Sequence, residues 1–145
     1  MPPLVKVCGL STSDSIEAAI RYGATHIGLN LYAPSPRYIE LKAAAALRQQ
    51  AGTRIKVALL LVNATPQVTG EAWAAVRPDI IQFHGNETPE WIAAVKQNTK
   101  VEVWKAVGLK DAGTLTRSRQ YHGIVDRLLF DAPAQALPGG TGTRF

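Results

Sequence analysis

IKVALLLVNATPQVTGEAWAAVRPDIIQFHG, residues 55–85, contains a complete strand–helix–strand unit. The aliphatic run over 55–62 reads as a strand. Thr65 is placed to cap a helix over 66–76, with Pro66 in its first turn, where a missing N–H costs nothing. Residues 79–83 form the next strand. Two strands joined by a helix through short loops argue for a parallel βαβ unit.

The same alternation extends in both directions. Upstream lie a strand over 4–8, a helix over 15–22 capped by Asp14 and stopped by Gly23, and a strand over 25–31. Ile16, Ala19 and Ile20 share one face of that helix. A loop over 32–38 and a helix over 40–50 follow. Downstream, Thr88-Pro89-Glu90 opens a helix over 88–97, and a strand covers 101–107. A helix over 111–121 is weakened by Gly113 and several β-branched residues, and a strand ends over 127–131. Residues 133–145 are Pro/Gly-rich and without period. The spacing thus predicts six parallel strands and five helices at about 24 residues per unit, in a single domain over 1–145.

Composition narrows the function classes. Hydrophobic residues make up 46% and charged residues 19%, which excludes disordered and fibrous chains. Sixteen Lys+Arg against eleven Asp+Glu give a net charge of +5, which favours an anionic partner. The basic residues are scattered and no recognition motif accompanies them, so a small phosphorylated substrate is expected rather than nucleic acid. The lone cysteine, Cys8, fits a reducing compartment. The apolar runs are too short to cross a bilayer and the start lacks a signal-peptide pattern, so no membrane partner and a cytoplasmic location are expected.

Polar residues gather at strand ends. Side chains two apart share a face of a strand, so Lys6 pairs with Cys8, Gln82 with His84, and Leu129 with Asp131. Asn63 and Lys105 also lie near strand ends. The C-terminal ends of strands are where α/β folds build sites, whether the sheet closes as a barrel or stays open and doubly wound. Cys8 reads either as a small buried hydrophobe or as a base beside Lys6, whose ammonium suits a negatively charged partner. Asp131 is either a turn cap or a carboxylate at the mouth of a site. His84 reads as a ring partner for substrate or as a histidine satisfied by its own hydrogen bonds, and Lys105 as the partner of a carboxylate inside the sheet. Arg37, in a loop stiffened by Pro36, suits a planar carboxylate that a guanidinium can hold bidentately, or is simply exposed to solvent. Gly139-Gly140-Thr141-Gly142 offers backbone N–H groups to an anion or a sugar oxygen. There is no dinucleotide-binding or Walker signature and no metal-ligand spacing, so no metal is expected.

Six segments occur in a fixed order: Lys6-Val7-Cys8-Gly9-Leu10, Tyr32 through Ser35-Pro36-Arg37-Tyr38, Val62-Asn63, Gln82-Phe83-His84-Gly85, Leu129-Phe130-Asp131-Ala132, and Gly139-Gly140-Thr141-Gly142 with Phe145. Together they resemble the phosphoribosylanthranilate isomerases of tryptophan biosynthesis, over the whole chain. The resemblance implies a (β/α)8 TIM barrel and a cofactor-free Amadori rearrangement of an aminoaldose to an aminoketose. It also implies Cys8 as general base, Asp131 as general acid and Arg37 on the anthranilate carboxylate. His84, Gly140 and Thr141 complete the expected substrate contacts. Asn30 departs from the pattern, where the family is usually apolar.

Eight units at this spacing need about 195 residues, so the length predicts an incomplete barrel ending after its sixth strand. The loops after strands seven and eight, a common phosphate site of such barrels, would then be missing, or be supplied by a complementing chain. A competing reading is an inactive truncated remnant or an interaction module of the family.

Overall fold

The computed structural model describes residues 2–132. Its first half is β1 (Lys6–Cys8), α1 (Ser13–Arg21), β2 (His26–Asn30), α2 (Leu41–Ala51), β3 (Lys56–Leu61) and α3 (Pro66–Val76). Its second half is β4 (Ile80–Phe83), α4 (Pro89–Thr99), β5 (Glu102–Gly108), α5 (Ala112–Arg117), a 3-10 turn over Ser118–Tyr121, and β6 (Arg127–Asp131).

All neighbouring strands are parallel, and their order in the sheet is β1-β2-β3-β4-β5-β6. A doubly wound sheet reverses its order at a switch point. This one never reverses. Strand order, which periodicity does not carry, therefore decides for the wall of a barrel.

The two faces of the wall differ in kind. Ile27, Leu29, Val57, Leu59, Ile81 and Val103 point to the helices and are fully buried in one continuous core with Ile16, Ala44 and Ile92 of α1, α2 and α4. Each such aliphatic side chain contributes about 1.5–3 kcal/mol through burial. The opposite face carries a small cluster of Ala58, Ile80 and Trp104, with Leu129 packed against it. Lys6, Cys8 and Gln82 lie on that same inner side. So the helices cover one face only, and the polar residues are set on the other.

Side-chain caps set most helix starts. Thr65, Thr88 and Asp111 accept from the backbone N–H groups of Val68, Trp91 and Thr114 at 3.2, 3.2 and 2.8 Å. At α1 the cap is Thr12 rather than Asp14. Thr12 Oγ accepts from Ser15 N at 3.1 Å and Ser15 Oγ from Thr12 N at 3.2 Å, a reciprocal pair that satisfies two donors at once. Asp14 instead sits in the first turn, where its charge complements the helix dipole. The helix expected over 111–121 keeps its α geometry only to Arg117 and then tightens into the 3-10 turn.

Carboxylates clamp the N-terminal ends of two strand pairs. Asp79 Oδ2 accepts from Val57 N at 2.8 Å and from Arg48 at 3.0 Å. Asp126 repeats the arrangement, with Val103 N at 2.8 Å and Lys96 at 2.7 Å. This end of the wall is built for holding strands together, which leaves the C-terminal ends for chemistry. Among the described residues no helix is long and apolar enough to cross a membrane.

Candidate active site

Cys8 is the last residue of β1, and its Sγ lies 3.6 Å from Lys6 Nζ. Lys6 also donates to the side-chain oxygen of Gln82 on β4, reaching across the concave face. Burial lowers the pKa of the Lys6 ammonium, and the neighbouring Cys8 sulfur pulls it back up. The thiol that the sequence could read as an inert hydrophobe is thus beside a partly buried cation.

Room for that thiol comes from a residue the sequence reading passed over. Gly28 of β2 is the register partner of Cys8. A methyl group there would stand 2.7 Å from Cys8 Sγ and 3.2 Å from Lys6 Cε. A glycine inside a strand marks close approach by another group, and that was the available signal.

On the opposite edge strand, Asp131 closes β6 and uses its two oxygens differently. Oδ1 accepts from Ala132 N at 2.8 Å, turning the chain, and Oδ2 lies 3.8 Å from His84 Nε2. One oxygen thus caps the turn, and the other faces the His84 ring. His84 follows β4, and its Nδ1 is buried with no hydrogen-bond partner among the described residues. Burial is the main reason its pKa is lowered; Asp131 raises it, and Lys105 and Lys6 lower it further.

Arg37 is exposed in the loop after β2, and its side chain lies across Gly9, immediately after Cys8. Gly9 has φ +80, so a side chain there would be strained as well as blocked by Arg37. Asn30 organises this loop. Its Oδ1 accepts from Tyr32 N at 2.8 Å, and its Nδ2 donates to Ser35 Oγ at 3.2 Å. Ser35 Oγ in turn accepts from Arg37 N at 3.1 Å. The polar residue that departs from the expected pattern is the anchor of the arginine loop.

The structure therefore brings Cys8, His84, Asp131 and Arg37 to one end of the wall. Gly140 and Thr141 lie outside the described residues. Lys105 faces the helices rather than the concave side, where it meets the carboxylate of Glu87. Among the described residues no group of three or more His, Cys, Asp or Glu could hold a metal ion.

A family model described as N-(5'-phosphoribosyl)anthranilate (PRA) isomerase matches residues 5–145. The chain belongs to the PRA isomerase family. It is 54% identical over 142 residues to the N-(5'-phosphoribosyl)anthranilate isomerase of Erythrobacter litoralis (strain HTCC2594), covering 98% of this chain and 68% of that protein. It is 43% identical to the isomerase of Rhizobium rhizogenes (strain K84 / ATCC BAA-868), covering 100% of this chain and 67% of that protein. The chain thus spans about two thirds of the length of these relatives. A solved phosphoribosyl anthranilate isomerase from Thermus thermophilus superposes with a TM-score of 0.85 at 26% identity, covering 99% of this chain and 67% of that one. Another PRA isomerase structure, solved in complex with reduced 1-(o-carboxyphenylamino)-1-deoxyribulose 5-phosphate, shares the fold with a TM-score of 0.82 at 24% identity, covering 90% of this chain and 66% of that one. The isomerase assignment, rather than that of an interaction module, is the one these relatives carry, and so is the barrel fold.

Within a PRA isomerase site, Gly28→Ala is expected to displace the Cys8 thiol and lower kcat about 10–100-fold, the scale of an ångström-sized misplacement of a reacting group. Steady-state kinetics on the full-length protein would show it. A kcat equal to that of the parent would mean that the thiol position does not limit turnover.

Proposed function

We propose that Cys8 and Asp131 are the base and acid of the family's isomerisation of N-(5'-phosphoribosyl)anthranilate. The observation that carries this reading is that the two groups end parallel strands at the same end of one concave face, on β1 and β6. The Asp131 carboxyl group, as general acid, donates a proton to the ribose ring oxygen as the C1–O bond breaks. The nitrogen lone pair then forms a Schiff base with C1, which acidifies the proton on C2. The Cys8 thiolate removes that proton, and the electron pair moves to give the enol form of the aminoketose. No atom is lost and no oxidant is needed, so two proton-transferring groups on different sides of the substrate suffice.

The remaining residues bind. Arg37 holds the anthranilate carboxylate, supported by the Asn30–Ser35 hydrogen bonds of its loop. His84 offers its ring beside Asp131, and Gly140 and Thr141, outside the described residues, complete the proposed substrate contacts. The ligand is thus a phosphorylated small molecule, in keeping with the net charge of +5. Closing the ring around it takes further strands beside β1 and β6, from further chain or from a complementing one. A thiol base that must stay reduced favours a cytoplasmic location.

The test is turnover by the full-length protein, followed as loss of the fluorescence of N-(5'-phosphoribosyl)anthranilate. Turnover above background, abolished by alkylating Cys8 and protected by substrate, is the expected result. Full turnover after stoichiometric alkylation of Cys8 would overturn the base assignment.

A further inference from the structure

The carboxylate of Glu87 and the ammonium of Lys105 lie behind the site, not in it. Both are almost wholly buried, with side chains 2% and 4% exposed, and 3.8 Å separates Oε1 from Nζ. Each spends its hydrogen bonds on backbone groups. Glu87 Oε2 accepts from Asn63 N at 2.7 Å, after β3, and its Oε1 accepts from Gly85 N at 2.8 Å, after β4. Lys105 donates to Gly85 O and to Ala106 O, each at 2.7 Å. Asn63 adds a second tie, its Oδ1 accepting from Asn86 N at 2.7 Å. Gly85 packs so closely on Asn63 that a methyl group would stand 2.7 Å from Asn63 Cγ. Tyr121 closes the rear, donating to the carbonyl of Glu87 at 2.6 Å.

We propose that the buried Glu87–Lys105 pair is a positioning device that ties the segments after β3 and β4 to each other and to β5 and thereby fixes His84 opposite Asp131. His84 immediately precedes Gly85, whose N–H and carbonyl are both held by the pair. A buried ion pair is weak support for stability, because apolar groups of the same volume do as well or better. What such a pair supplies here is direction: two carboxylate oxygens fit two N–H groups that follow different strands, which no apolar side chain can do. The pair also acts on the His84 imidazole through space. Lys105 lowers the imidazole pKa and Glu87 raises it, within a balance set mainly by burial and shared with Asp131 and Lys6.

The inference rests on the isomerase reading, and its test separates the two. The full-length protein would carry Glu87→Gln, Lys105→Met, and both together. Single variants leave one buried charge alone and are expected to lower the unfolding temperature. The double variant leaves none and is expected to recover most of it. Amide exchange at Asn63 and Gly85, read without substrate, should nevertheless stay at least tenfold faster in the double variant, and kcat/KM should stay at least tenfold down. Recovery of exchange protection and of kcat/KM together with stability would overturn the proposal, since the pair would then be packing alone. An inactive parent protein with the same exchange pattern would sink the isomerase reading while leaving the positioning device in place.

Discussion

Asp131→Asn is expected to lower kcat by about 10²–10⁴-fold, the range of a lost general acid, with KM changed little. The amide has the shape of the carboxyl group and can still accept from Ala132 N, the 2.8 Å bond that turns the chain after β6. It cannot release a proton to a ring oxygen. A neutral hydrogen bond contributes about 0.5–1.5 kcal/mol, whereas the kinetic effect corresponds to about 3–5 kcal/mol, so damage to the turn cannot imitate loss of the acid. Steady-state assays by substrate fluorescence, with an unfolding curve alongside, check both sides of the argument. Turnover within a few-fold of the parent would refute the assignment of Asp131.

Cys8→Ser should have an effect of the same order, for a different reason. The serine hydroxyl fits the space left by Gly28 and stands beside the same Lys6 ammonium, so geometry and local charge are preserved. What changes is basicity, because a hydroxyl gives up its proton far less readily than a thiol and its anion is scarce near neutral pH. We expect kcat to fall about 10²–10⁴-fold while KM holds. Deuterium at ribose C2 gives a second readout: the isotope effect on kcat should grow as proton removal becomes limiting. An unchanged kcat would transfer the base role to another group.

Much of the fold is legible in the residues themselves. The strand–helix alternation, the caps at Thr65 and Thr88 and the clustering of polar side chains at strand ends follow from local rules of period and hydrogen bonding. Strand order does not, since the same alternation serves an open sheet and a barrel; it emerges only when each strand is seen beside its sequence neighbour. At the site, Cys8, His84, Arg37 and Asp131 stand out because chemistry-bearing types at strand ends are conspicuous. Gly28 and Asn30 are silent because their roles are relational. One supplies space to the side chain of its register partner on the neighbouring strand, and the other ties a loop whose purpose is visible only once Arg37 is placed. Glu87 is silent for another reason: a glutamate just ahead of a helix cap reads as a solvated charge, and only tertiary packing encloses it.

The separation of the wall into two faces has a consequence for how such a protein can change over generations. From β1 to β5 the odd-numbered positions meet the helices and the even-numbered ones look inward, and at β6 the parity reverses, because Trp104 is in register with Arg127. Cohesion and reactivity are therefore encoded in alternate letters of the same short words. A substitution at Cys8, Gln82 or Asp131 changes the inner face without reopening the layer that holds the wall to its helices, and one at Val57 or Ile81 does the reverse. Heritable variation in reactivity can thus accumulate on a scaffold that selection for foldedness leaves untouched, and Lys105, a charge set among the cohesive letters, is where the two vocabularies meet.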